Sequence, residues 1–223
     1  MLAPLVAGQT GDWVADRVRI GADSNACGIT RPDLPLPRPV VLWLHGGMHA
    51  QLRTKGWEAH RQLTRFLTPS AYYLCSPSAY AEADWVSPEG LAHIEALLDY
   101  MAANYPRARL DSLIIVGVSD GGLGALRYAK FGKRKPIRTI LFSVFPPLIL
   151  EDKELFSEKA YLSTDWTIFQ GGRDAQFPST QVFPLLKRWS QVNPRVKLHL
   201  YPAGEHDFSW FAAHAEEEIR HLF

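Results

Sequence analysis

From residue 39 to the end of the chain, short apolar runs alternate with segments whose apolar residues recur at three- and four-residue spacing. Residues 40–44 (VVLWL) form a nearly continuous apolar run entered through Pro39 and left through Gly46 and Gly47, the pattern of a strand covered on both faces. A helix is predicted over 57–67 and a second strand over 72–75. Ser87 followed by Pro88 reads as the cap and first turn of a long helix reaching about residue 105, whose inner face carries Leu91, Ile94, Leu97, Leu98 and Met101. Residues 113–116 (LIIV) are the richest β-branched run, are expected to be the central strand, and stop at Gly117, after which 123–131 returns to helical spacing. Further strands are predicted at 140–144, 166–169 and 196–201, with helices at 180–191 and 209–222. Such alternation predicts the α/β class, with a mostly parallel central sheet and helices on both faces.

The first 38 residues are weakly marked. Residues 17–20 alternate like an edge strand, and 31–39, with Pro32, Pro35, Pro37 and Pro39, read as a rigid connector. No internal repeat is present, and at 223 residues the chain is expected to form a single domain over 1–223.

Composition narrows the function classes. With 47% hydrophobic and 21% charged residues the chain can bury a large core. Lys and Arg total 24 against 23 Asp and Glu, so no net field would hold it on nucleic acid or an anionic bilayer, and neither partner is expected. The one basic cluster, Lys130, Lys133, Arg134, Lys135 and Arg138, falls at a predicted helix C-terminus, where cations complement the helix dipole, and it lacks the interleaved aromatics of a base-stacking surface. Cys27 and Cys75 are too few for a disulfide framework and lack zinc-site spacing, so both are expected as buried thiols and no metal is expected. No basic residue precedes the short apolar stretch at the N-terminus, and no apolar run reaches the ~18 residues of a membrane span, so a cytoplasmic location is expected.

Candidate chemistry centres on residues 117–121, the pentapeptide G-V-S-D-G, between the strongest strand and a helix. A serine lifted onto so sharp a turn strains the backbone and brings helix and strand together, which requires small flanking residues. Ser119 needs a histidine base and a carboxylate to orient it. Of eight histidines, His206, in the loop after the last predicted strand, is placed to reach it. His45 fits better in a glycine-rich loop, His199 lies within a strand, and His60, His93, His214 and His221 lie on helices. His49 is the remaining rival. Asp174 follows a strand at the same sheet edge, whereas Asp165 precedes that strand and falls at the opposite end.

The order Ser119, Asp174, His206, the His45-Gly46-Gly47 segment, the acid turn at 171–174 and the histidine loop at 204–208 together resemble the α/β-hydrolase superfamily over residues 39–223. Within it the chain is similar to the small esterase-D, phospholipase/carboxylesterase and dienelactone-hydrolase groups. Asp120 departs from the glutamine, histidine or methionine that follows the nucleophile in many esterases. The resemblance implies an oxyanion hole built from the backbone N–H of Asp120 and that of Gly47 or Met48. Residues 146–164 occupy the usual place of a cap but allow only a small one. Their apolar start, including Pro147 and Leu148, either lines an acyl pocket or packs on the core, and Trp85 either walls the site or anchors the core.

These residues together read as a serine hydrolase that cleaves small-molecule esters of small or medium acyl groups without a cofactor. The alternatives are a thioesterase or peptidase on the same residues and, from a different class, a non-catalytic binding module of the same fold.

Overall fold

The structure is a computed structural model, and it describes residues 8–10, 13–20, 25–32, 36–47, 55–67, 71–78 and 85–223. In chain order the elements are β1 (Gly8–Thr10), β2 (Trp13–Ile20), β3 (Asn25–Pro32), β4 (Arg38–Leu44), α1 (Lys55–Thr64), β5 (Tyr73–Ser76), α2 (Pro88–Asn104), β6 (Ala108–Val118) and α3 (Asp120–Phe131). There follow β7 (Arg138–Phe142), a 3₁₀ turn (Pro146–Leu148), α4 (Asp152–Ser157), α5 (Lys159–Ser163), β8 (Asp165–Gly171), α6 (Ser179–Val192), β9 (Val196–Tyr201), α7 (Phe208–His214) and α8 (Glu216–Arg220).

The continuous apolar runs become strands buried on both faces because side chains alternate across a pleated sheet. Val40, Leu42 and Leu44 of β4 join Leu113 and Ile115 of β6 in one core layer, against the inner faces of α2, α3 and α6. Val41 and Trp43 join Ile114 and Val116 in the other, against Ala59 and Leu63 of α1, Phe211 of α7 and Ile219 of α8. Among the described residues the sheet has nine strands in the order β1-β2-β3-β5-β4-β6-β7-β8-β9. It is antiparallel from β1 through β3 to β5 and parallel from β5 to β9.

Two expectations, the connector over 31–39 and the single helix over 209–222, need correction. Residues 17–20 lie in β2, where among the described residues they pair with β3 alone, since the short β1 pairs only with residues 13–15. The expected connector is shortened because β3 extends to Pro32 and β4 begins at Arg38. The signal of β3 is weak because Gly28 and Thr30 alternate with the buried Cys27 and Ile29, leaving little bulk on one face. The expected helix over 209–222 is two helices interrupted at Ala215, whose φ of −129° leaves the helical region.

The basic cluster is paired within the fold. Lys130 meets Glu154 at 2.7 Å, Arg134 meets Glu95 at 2.9 Å and Asp99 at 2.5 Å, and Lys135 donates to the carbonyls of Ala129 and Lys130 at the end of α3. Arg138 donates to the carbonyl of Leu222. Cys27 and Cys75 are buried thiols in no disulfide, and burial pushes the Cys27 thiol up to about 12. No helix among the described residues is long and apolar enough to cross a membrane.

His45 and His93 are buried, and that burial lowers both imidazoles to about 4, so both are neutral at neutral pH. In the unfolded chain the ordinary value is near 6.5, so between 4 and 6.5 the unfolded state binds more protons. Stability is therefore complete above that window and falls as the pH drops through it, by on the order of 3 kcal/mol per histidine. In denaturant titrations the stability difference between wild type and His93→Gln should move towards the variant by about that amount from about pH 7 to about pH 4. A difference independent of pH would contradict it.

Candidate active site

The residues singled out in the sequence gather at the carboxyl ends of the parallel strands, where open α/β sheets leave a crevice. Ser119 follows β6, residues 45–47 follow β4, Asp174 follows β8 and His206 follows β9. Ser119 has φ 52° and ψ −116°, one of two positive-φ non-glycine residues among those described. Its N–H donates to Phe142 O at 2.8 Å, and its carbonyl accepts from Gly122 and Leu123 in the first turn of α3. The turn is tight because α3 must pass directly over β4. A Cβ on Gly121 would lie 2.1 Å from Leu44 O, so only a glycine permits this approach.

His206 Nε2 lies 2.8 Å from Ser119 Oγ, and its Nδ1 lies 2.9 Å from both carboxylate oxygens of Asp174. With Nδ1–H donating to the carboxylate, Nε2 is left to accept the Ser119 hydroxyl. Asp174 is buried yet well supplied with donors. Gln170 Nε2 donates to Oδ2 at 3.0 Å, and the N–H groups of Gln176 and Phe177 donate to Oδ1 at 2.9 and 2.8 Å. Burial raises its pKa, but the His206 bond and these two N–H groups outweigh that and hold the carboxyl below its ordinary value. Gln170 is itself fixed, since its Oε1 accepts from Val144 N at 3.1 Å. Ser143 Oγ donates to His206 O at 2.7 Å, Phe177 meets the imidazole edge-on at 5.0 Å, and Arg173 N donates to Gly204 O, tying the acid turn to the histidine loop.

The loop after β4 lies against Ser119, where a Cβ on Gly46 would sit 3.3 Å from Ser119 Cβ. Gly47 has φ 96°, open to glycine, and borders the pocket, while Asp120 opens α3 at the positive end of its dipole. Met48 and His49 lie outside the described residues.

A cavity of about 570 Å³ opens over Ser119, bordered among others by Gly47, Lys55, Asp120, Leu148, Phe177 and Phe208. A groove of about 380 Å³ adjoins it, sharing Gln62, Phe208 and Ser209. Two of the residues weighed for the pocket lie elsewhere. Trp85 is buried in the core, where its Nε1 donates to His45 O at 2.9 Å, and Pro147 is exposed and does not border the cavity. Residues 146–164 lie along the helical layer, with α5 against α3 and α4 against α6. Leu155 and Tyr161 carry them into the core, and Leu148 is the part of the segment that borders the cavity.

The supporting residues Gln170, Ser143, Phe177 and Lys55 carry no sequence motif. Gln170 alone had a local hint, a polar residue inside an apolar strand four positions before Asp174. Among the described residues no three His, Cys, Asp or Glu side chains come together as a metal-ligand set.

No protein-family model and no curated protein matches the chain by sequence. Solved structures do. A fluorophosphonate-binding serine hydrolase of Staphylococcus aureus matches at a TM-score of 0.68 and 14% identity, over 94% of this chain and 97% of that one. An esterase of Pyrococcus furiosus matches at 0.63 and 18%, over 99% and 94%. An S-formylglutathione hydrolase of Staphylococcus aureus matches at 0.67 and 14%, over 97% and 99%. The fold shared with these structures is the α/β-hydrolase fold.

The crossing of α3 over β4 sets a sharp mutational contrast. Gly121→Ala drives a methyl into Leu44 O and should cost more than about 3 kcal/mol, measured as the denaturant midpoint, or prevent folding. At Gly122 the nearest atom to an added Cβ is the movable Val144 Cγ2 at 3.3 Å, so Gly122→Ala should cost about 1 kcal/mol or less.

Proposed function

We propose that the protein is a serine hydrolase that cleaves carboxylic esters of small or medium acyl groups through an acyl-enzyme on Ser119. The observation that carries this reading is the 2.8 Å contact between Ser119 Oγ, on its strained turn, and His206 Nε2, with Asp174 on the opposite ring nitrogen. A serine hydroxyl is a poor nucleophile by itself, and this arrangement supplies the base and the orienting carboxylate it needs.

Nε2 takes the Oγ proton as Oγ attacks the ester carbonyl carbon, and the carbonyl π pair moves to oxygen. Asp174, ionised and aligned, stabilises the imidazolium. The tetrahedral oxyanion is met by the N–H of Asp120, aided by the α3 dipole, and by that of Gly47; each such donor contributes roughly 10²–10³ in rate. The C–O bond then breaks as Nε2–H protonates the departing alkoxide. Water, deprotonated by Nε2, attacks the acyl carbonyl next, releasing the carboxylic acid and restoring Ser119.

The fold-level neighbours include a serine hydrolase named for binding fluorophosphonate and an esterase, which fits this reading. A small acyl group is favoured because residues 146–164 pack along the helices and contribute Leu148 alone to the cavity border.

Fluorophosphonate should add one equivalent to the wild type and none to Ser119→Ala, while Ser143→Ala still labels. Ester turnover should fall by at least about 10⁴ in Ser119→Ala and by about 10³–10⁴ in Asp174→Asn, the latter with KM little changed. Labelling away from Ser119, or full activity in its alanine variant, would overturn the reading. Along p-nitrophenyl esters from acetate to palmitate, kcat/KM should be highest for short acyl chains. Normal labelling without turnover of any ester would redirect the substrate to a thioester or activated amide.

A further inference from the structure

Lys55, the first residue of α1, places Nζ 2.6 Å from Gly46 O, and His45 Nδ1 lies 3.0 Å from the same oxygen. A carbonyl oxygen only accepts, so both its lone pairs are filled, one by the ammonium and one by the neutral imidazole's Nδ1–H. Lys55 is half-buried at the cavity border and makes no ion pair among the described residues, so its charge falls on this neutral acceptor.

The Gly46–Gly47 peptide is trans and planar, so its N–H points opposite to its C=O. With the carbonyl turned to Lys55 and His45, the Gly47 N–H faces away from both and meets no acceptor among the described residues. Glycine on both sides, with Gly47 at φ 96°, leaves this peptide free to rotate unless something pins it. A flip would exchange the N–H for a carbonyl oxygen, which repels an oxyanion. Lys55 opposes the flip with a charge-assisted bond and also polarises the peptide, strengthening its N–H as a donor.

We propose that Lys55 is a positioning residue for the oxyanion hole, locking the Gly46–Gly47 peptide so that the Gly47 N–H faces the developing negative charge. This rests on the acyl-transfer reading of the same site. Lys55 acts through the peptide it holds.

The test compares wild type, Lys55→Met and Lys55→Arg, with active sites counted by fluorophosphonate labelling so that misfolded protein drops out. Lys55→Met should lower kcat per labelled site for p-nitrophenyl acetate on the order of 10- to 100-fold, less than deletion of a whole donor, with KM within about threefold. Its affinity for an aryl trifluoromethyl ketone, whose Ser119 adduct is a tetrahedral oxyanion, should weaken by a similar factor. Lys55→Arg, which restores a cationic donor, should recover most of both losses. If Lys55→Met yields too little folded protein, Lys55→Gln takes its place with the same expectation. A per-site kcat within about threefold of wild type, an effect on KM alone, or an arginine variant as impaired as methionine would overturn the proposal. A wild type that neither labels nor turns over ester would instead overturn the underlying acyl-transfer reading.

Discussion

The crossing of α3 over β4 is the constraint on which the site depends. Gly121 sits so close to Leu44 O that no side chain fits between them. To enter the helix at that distance the chain turns at Ser119 through φ 52°, a conformation an L-residue adopts only when its surroundings impose it. Those surroundings are the bond from its N–H to Phe142 O and the packing of α3 on the sheet. The same crossing brings the loop after β4 under Ser119, so one backbone contact sets both the serine and the peptides that face it.

Around that turn, buried polar groups are satisfied one by one, as a dry interior demands. The Asp174 carboxylate collects donors from Gln170, Gln176, Phe177 and His206, which keeps it ionised although burial alone would favour its neutral form. The loop after β4 is pinned residue by residue: Trp85 holds the His45 carbonyl, and His45 and Lys55 hold that of Gly46. Two core aromatics and a lysine thus do for this loop what regular secondary structure does elsewhere. The α4–α5 segment, by contrast, spends its apolar residues on the helical layer, and the cavity over Ser119 stays open on that side.

Several elements were legible because their signals are local. The β-branched run of β6 and its arrest at Gly117, and the Ser87 cap that accepts from Gly90 N, follow from neighbours in sequence, whereas the order of Ser119, Asp174 and His206 was legible through the resemblance to a known fold. Where bulk is missing the signal fails: β3, with Gly28 and Thr30 on one face, and β1, three residues long, leave no run to read.

The sequence by itself determined the alternation that produces a parallel sheet between two helical layers, and with it the sheet edge at which the turn residues collect. Strand period and strand-to-helix order place loop residues without reference to distant contacts. Only the tertiary structure decided that Trp85 lies beneath the loop and not in the cavity, that Gln170 orients Asp174, and that Lys55 reaches Gly46. Each of these depends on how two separate elements approach to within a hydrogen bond, a distance set by packing across the sheet and written in no single stretch of sequence.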